Sequence, residues 1–129
     1  MTAFLLDTSV IVEFSKQREP AYSQIIAWIR LGESLAVCAV SVAEFYAGLS
    51  IAEAYRWEEM IAAFAYWPIS RSAAMHAGQE RYSYARRAKA ISTTDSLLAA
   101  VARERHAILV TNNVEDFPMD DLVLFPLLG

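Results

Sequence analysis

Asp7, Glu44, Asp95 and Asp116 are spread along most of the chain, yet each falls where a strand or loop would feed a helix. Asp7 follows the short apolar run Ala3–Leu6, which suits a buried strand, and precedes Val10, Ile11, Val12 and Phe14, which suit the first turns of a helix. Asp95 opens a stretch reaching Arg105 in which Leu97, Leu98, Val101 and Ala102 recur at helical spacing, with Thr93 or Thr94 as the expected N-cap. Asp116 follows the strand-like run Ala107–Val110 by a few residues. Carboxyl ends of strands are where open α/β sheets bind ligands. If the four carboxylates converge to about 5 Å, each pair repels by roughly 3 kcal/mol at an effective dielectric of about 20. A cation would relieve that repulsion. Oxygen donors without Cys or His favour magnesium or manganese over zinc, and the matching chemistry is metal-assisted phosphodiester hydrolysis.

Each acid also has an ordinary explanation. Ser41-Val42-Ala43-Glu44 has the form of a capping box, in which Glu44 would return a hydrogen bond to the Ser41 backbone. Asp7 could cap a helix, and Asp95 could complement a helix dipole for about 0.3–1 kcal/mol. Asp116 could form a turn, with Glu115, Asp120 and Asp121 close by in sequence. The hydroxyls of Ser9 and Thr111 flank the proposed site and could hold a water or orient a carboxylate. His76 and His106 lie outside these junctions and lack a metal-ligand spacing.

The elements that must position these groups read as one α/β domain over residues 1–129, without repeats, low-complexity tracts or linkers. Expected strands are Ala3–Leu6, Leu35–Val40, Trp67–Ile69, Ala107–Val110 and Leu122–Phe125, with helices between them. Helices separating buried strands imply right-handed crossovers and a parallel sheet. Tyr22, Ile25, Ile26 and Ile29 predict an amphipathic helix that Gly32 would terminate. From Tyr55 to Trp67 the apolar girth is wider, with Trp57, Met60, Ile61 and Phe64 on one face and Tyr55 and Tyr66 beyond it. Its second side should be covered by a neighbouring helix or a partner.

An apolar content of 56% is high for a soluble monomer, and the mean hydropathy of +0.27 agrees. The lone cysteine, Cys38, sits in an apolar run, so it reads as a buried small hydrophobe in a reducing cytoplasm. No basic leader or bilayer-length apolar stretch is expected. The net charge of −4 conceals a segment, Arg71 to Lys89, in which Arg71, Arg81, Arg86, Arg87 and Lys89 face Glu80 alone. That segment carries +4 and leaves −8 to the rest of the chain. It reads either as a solvated helix face or as a phosphate-binding patch, where Tyr82 and Tyr84 could stack unpaired bases.

Taken together, Asp7-Thr8-Ser9, Ser41-x-x-Glu44-x-x-x-Gly48, Asp95-x-x-Leu98-Ala99-Ala100 and Leu109-Val110-Thr111-x-Asn113-x-x-Asp116-Phe117 resemble the motifs of PIN-domain ribonucleases in order and spacing. Within them the chain looks like a VapC-type toxin of a toxin–antitoxin pair. The resemblance implies a PIN-like three-layer α/β/α sandwich with a central parallel sheet and a magnesium- or manganese-dependent endoribonuclease. Asp7, Glu44, Asp95 and Asp116 match its acidic positions, with Ser9, Thr111 and Asn113 as supporting polar residues. Arg81, Arg86, Arg87 and Lys89 are candidates for holding RNA phosphates. The resemblance also implies a homodimer and a VapB-type antitoxin, with Trp57, Ile61 and Phe64 as candidate contacts. The competing readings are a catalytically inactive PIN module that binds RNA or protein, and a phosphorylation-controlled receiver domain. A receiver would need a second acid beside Asp7 and a lysine after a late strand, whereas the only lysines are Lys16 and Lys89.

Overall fold

Five short apolar runs form five strands in the computed structural model, which describes residues 2–127. They are β1 (Ala3–Leu6), β2 (Ser34–Cys38), β3 (Ala65–Trp67), β4 (Ile108–Thr111) and β5 (Leu124–Pro126). All neighbours pair in parallel in the order β3-β2-β1-β4-β5, which makes β1 the central strand. Parallel pairs need crossovers. These are supplied by α1 (Thr8–Ser15) and α2 (Ala21–Leu31), α3 (Ala39–Ala47) and α4 (Ile51–Ala62), and α5 (Arg71–Arg86) and α6 (Thr93–Glu104).

Alternation along the strands divides the core between two faces. Leu5 and Leu109 point into a cluster with Ala73 and Ala77 of α5 and Leu98 to Ala102 of α6. Leu6 and Val110 point the other way, against Val10 and Ile11 of α1, Ile25 and Trp28 of α2, and Phe45 of α3. The result is the expected three-layer α/β/α sandwich. Leu5, Leu6, Leu109 and Val110 are fully buried, each contributing about 1.5–3 kcal/mol by leaving water.

The boundaries depart from expectation where local chemistry intervenes. β1 is as expected. β2 ends at Cys38, so Ala39 and Val40 open α3 instead of closing the strand. β3 lies two residues earlier than expected, because Trp67 pairs with Cys38 and the following Pro68 has no N–H to extend the ladder. β4 starts after Ala107, whose N–H closes the end of α6 on the Ala102 carbonyl at 2.8 Å. β5 starts at Leu124, two residues after the expected Leu122, whose own N–H is turned back to Met119.

Gly32 ends α2 in the left-handed conformation, φ 74°, as expected. The buried stripe of α2 is Ala21, Ile25 and Trp28, whereas Ile29 is 50% exposed. Trp28 outcompetes Ile29 by stacking on Phe4 at 4.2 Å and meeting Phe125 edge-on at 5.0 Å. Cys38 is fully buried, as expected. On α4, Trp57, Met60 and Ile61 are partly buried against the second cluster and no residue is fully buried. Ile51 and Tyr55 stand 81% and 74% exposed, so the outer side of this helix is open instead of covered by a neighbour in the chain. Among the described residues, no helix is long and apolar enough to cross a membrane.

Candidate active site

Asp7 continues β1 by one residue, donating its backbone N–H to the Val110 carbonyl at 3.0 Å. Its side chain then serves as the N-cap of α1. One carboxylate oxygen accepts from Thr8 N–H at 2.7 Å, and the other accepts from Thr111 Oγ1 at 2.8 Å. The capping explanation of Asp7 is therefore correct, and it does not compete with a role at the sheet edge. Only 8% of Asp7 is exposed. Burial pushes its pKa up, the Thr111 and Thr8 bonds pull it down, and the negative charges of Asp95 and Glu44 push it up further.

Glu44 reaches the same place from α3. Thr8 Oγ1 donates to Glu44 Oε1 at 2.7 Å, which couples the second acidic motif to the residue after the first. The capping box expected at Ser41 is absent: α3 begins at Ala39, its N-cap is Cys38, and no side chain caps it. Ser41 is fully buried within the first turn of the helix, and its hydroxyl has no hydrogen-bond partner among the described residues. The Ser96 hydroxyl, beside Asp95 on α6, is in the same condition.

Asp95 stands in the first turn of α6. The N-cap is Ser92, one residue before the expected Thr93 or Thr94, and its hydroxyl accepts from Asp95 N–H at 3.1 Å. Partial burial raises the Asp95 pKa, the bond to Ser92 lowers it, and the charges of Asp116 and Glu44 raise it. Asp116 is exposed on a short 3-10 turn, Val114–Asp116, beyond β4. The four acids thus share one electrostatic neighbourhood, each felt by at least one other. Among the described residues, however, no three Asp, Glu, His or Cys side chains stand close enough to form a ready-made metal cage.

The polar residues around them sort unexpectedly. Thr111 is fully buried, and besides holding Asp7 it accepts from the Asn113 backbone N–H at 3.0 Å. Ser9 donates to Asn112 Oδ1 at 2.7 Å, and Asn112 Nδ2 donates to Glu13 Oε1 at 3.2 Å. Asn112, passed over in sequence, is therefore the side chain that ties the β4 exit to α1, whereas Asn113 contributes backbone and leaves its side chain exposed. Two adjacent asparagines carry no sequence signal to choose between them.

Arg81, Arg86, Arg87 and Lys89 lie on the last turns of α5 and the loop that follows, outside this cluster of acids. Ion pairs among the described residues join Arg103 to Glu80 at 2.7 Å and to Asp121 at 3.2 Å, and include none of these four.

A comparison with curated proteins found no match. Solved structures match along nearly the full length. VapBC2 of Rickettsia felis, bound to a promoter DNA fragment, gives a TM-score of 0.83 at 20% identity, covering 97% of this chain and 98% of that one. A toxin–antitoxin complex from Klebsiella pneumoniae gives 0.77 at 22%, covering 97% and 98%. FitAcB of Neisseria gonorrhoeae gives 0.75 at 26%, covering 95% and 96%. These likenesses agree with the parallel sheet and its helical layers. The family model of the PIN domain matches residues 4–118, a span that includes all four acidic positions, and the chain accordingly belongs to the PIN-domain family.

Proposed function

We propose that this chain is a single-domain, magnesium- or manganese-dependent endoribonuclease of VapC type, acting in the cytoplasm as the toxin of a toxin–antitoxin pair. The observation that carries this reading is Asp7: a carboxylate buried at the sheet's carboxyl edge, with an oxygen held by each of two donors and with Asp95 and Glu44 near enough to raise its pKa. The donors suit a hard divalent ion, because they are all oxygens and because burial and neighbouring acids disfavour the anionic forms of Asp7 and Asp95.

Asp7, Glu44 and Asp95 would hold the ion, with Asp116 completing the cluster. Once bound, such an ion supplies a water of lowered pKa and neutralises charge on the scissile phosphate. The chain's own residues do the orienting. Thr111 and the α1 backbone aim Asp7, Thr8 aims Glu44, and the Ser92 cap sets the start of α6. Arg86, Arg87 and Lys89, exposed near the α6 N-terminus, are the proposed contacts for RNA phosphates.

A VapB-type antitoxin and a homodimer are proposed as partners, in keeping with the toxin–antitoxin complex to which the fold is similar. A mainly apolar cavity of about 300 Å³, lined by Phe14, Ile29, Leu35, Met60, Ala63 and Phe64 with Glu33 as its one charged residue, would suit an apolar antitoxin side chain. Phe64 forms part of its wall from a buried position, whereas Trp57 and Ile61 are only half-buried. The open spacing of the acids favours one alternative, a PIN module that binds RNA without cutting it. Cleavage of RNA with magnesium, abolished by chelator and by Asp95→Asn, supports the nuclease. RNA left intact by a folded parent with either magnesium or manganese would overturn it.

A further inference from the structure

We propose that Tyr82, backed by Arg86, is a stacking platform for an unpaired base of the RNA substrate, an inference that rests on the ribonuclease reading. Tyr82 is 61% exposed and belongs to neither core cluster, whereas Tyr84 packs against the first cluster. The Arg86 guanidinium lies 4.2 Å from the centre of the Tyr82 ring, and its Nη2 donates to the Tyr82 hydroxyl at 2.7 Å. The guanidinium covers one face of the ring, so a base would stack on the opposite face, with a positive charge directly behind it. That pairing matches a nucleotide, whose base stacks on aromatic rings while its phosphate seeks a cation.

Neighbouring charges reinforce the match. Glu80, the one acid from Arg71 to Lys89, is taken by Arg103, and no ion pair among the described residues involves Arg86, Arg87 or Lys89. Arg81 has a separate task. Its Nε donates to the Ile91 carbonyl at 2.8 Å, tethering the loop just before Ser92, the N-cap of α6.

The platform also lies at the useful end of the molecule. Ser70 at the start of α5 donates to Glu104 at the end of α6, at 2.6 Å, while Arg81 ties the other end of α5 to the loop entering α6. The two helices are therefore antiparallel. Tyr82 and Arg86, in the last two turns of α5, share an end with Asp95 in the first turn of α6. A base seated on Tyr82 and the acidic site belong to one end of this helical pair. Paired RNA hides its base faces in the stack, so the platform selects unpaired stretches.

The test uses the full chain in an Asp95→Asn background, which holds RNA intact. The probes are a short single-stranded RNA carrying a fluorescent adenine analogue that dims on stacking, and a fully paired blunt-ended RNA duplex of equal length. Tyr82→Ala should weaken single-strand binding roughly tenfold, abolish the dimming and leave duplex binding within about twofold. Tyr82→Phe should bind like the background protein, because it keeps the ring. Arg86→Gln should reduce the slope of affinity against salt by about one, while Tyr82→Ala leaves it unchanged. If the otherwise unaltered protein cleaves RNA but Tyr82→Ala leaves both affinities and the dimming intact, the platform is refuted and the nuclease stands. That is also the result expected if the surface serves an acidic protein segment. Equal weakening of both RNAs refutes the platform as well. A folded protein that neither cleaves nor binds RNA overturns both proposals.

Discussion

The pattern Ser-x-x-Glu occurs twice between residues 41 and 53, as Ser41-Val42-Ala43-Glu44 and Ser50-Ile51-Ala52-Glu53, and the structure uses the two copies for different purposes. At Ser50 it is a capping box: the Ser50 hydroxyl accepts from Glu53 N–H at 3.3 Å and the Glu53 carboxylate accepts from Ser50 N–H at 3.0 Å. At Ser41 the same letters lie inside a helix that began two residues earlier. The serine is sealed in the core without a hydrogen-bond partner among the described residues, and the glutamate turns to Thr8 at the sheet edge. A local motif thus states what a segment can do. Where the preceding strand ends decides which use is made of it.

The comparison is broken most forcefully at the two glutamates. Glu44→Gln removes a proposed metal ligand and should lower RNA cleavage by about two to three orders of magnitude, the scale of several kcal/mol of lost charge stabilisation. Its melting temperature in chelator should stay near the parent's. Glu53→Gln should leave cleavage unchanged, since the helix it caps carries none of the four acids. Equal activity in Glu44→Gln and the parent would return Glu44 to a structural role.

A middle-sized contrast lies at the serines. Ser50→Ala should cost about 1 kcal/mol, the ordinary value of an N-cap. Ser41→Ala should be neutral or stabilising, because it removes a buried hydroxyl that has no partner among the described residues. Denaturant unfolding of both variants checks the order, and a larger loss at Ser41 than at Ser50 would contradict it.

The smallest effect sharpens the contrast between acids that cap and acids that repel. The raised pKa of Asp95 means that folding favours its protonated form. The stability it contributes is fully present below the ordinary aspartate value of about 3.9 and is lost as pH climbs through the raised folded value. In chelator, Asp95→Asn should therefore gain on the parent in melting temperature as pH rises from about 4, and magnesium should close the gap by binding the parent's native state. The Glu53 carboxylate, held below its usual range by its bonds to Ser50, should behave with the opposite sign in a matching Glu53→Gln series. A gap for Asp95→Asn that narrows with rising pH would mean that burial does not penalise this charge.

Much of this molecule was determined by sequence alone. Short apolar runs followed by acids marked β1 and the sheet edge, because a buried strand needs little more than continuous apolar character and a defined end. Glycine at position 32 marked the end of α2, because only a left-handed turn stops the helix there. The four acids and their motif spacing pointed to the PIN-like α/β/α sandwich that the structure has. Tertiary structure decided the rest, where several local solutions are nearly equal in energy. Ser92, Thr93 and Thr94 are all competent caps, and the loop tether from Arg81 to Ile91 accompanies the choice of Ser92. Asn112 and Asn113 are chemically the same, and only the β4 exit directs Asn112 at Ser9 and Glu13. Trp28 displaced Ile29 from the core because its ring found Phe4 and Phe125, residues far away in sequence. Periodicity describes one helix at a time, but the partner that fills a side chain's space is chosen by the whole fold.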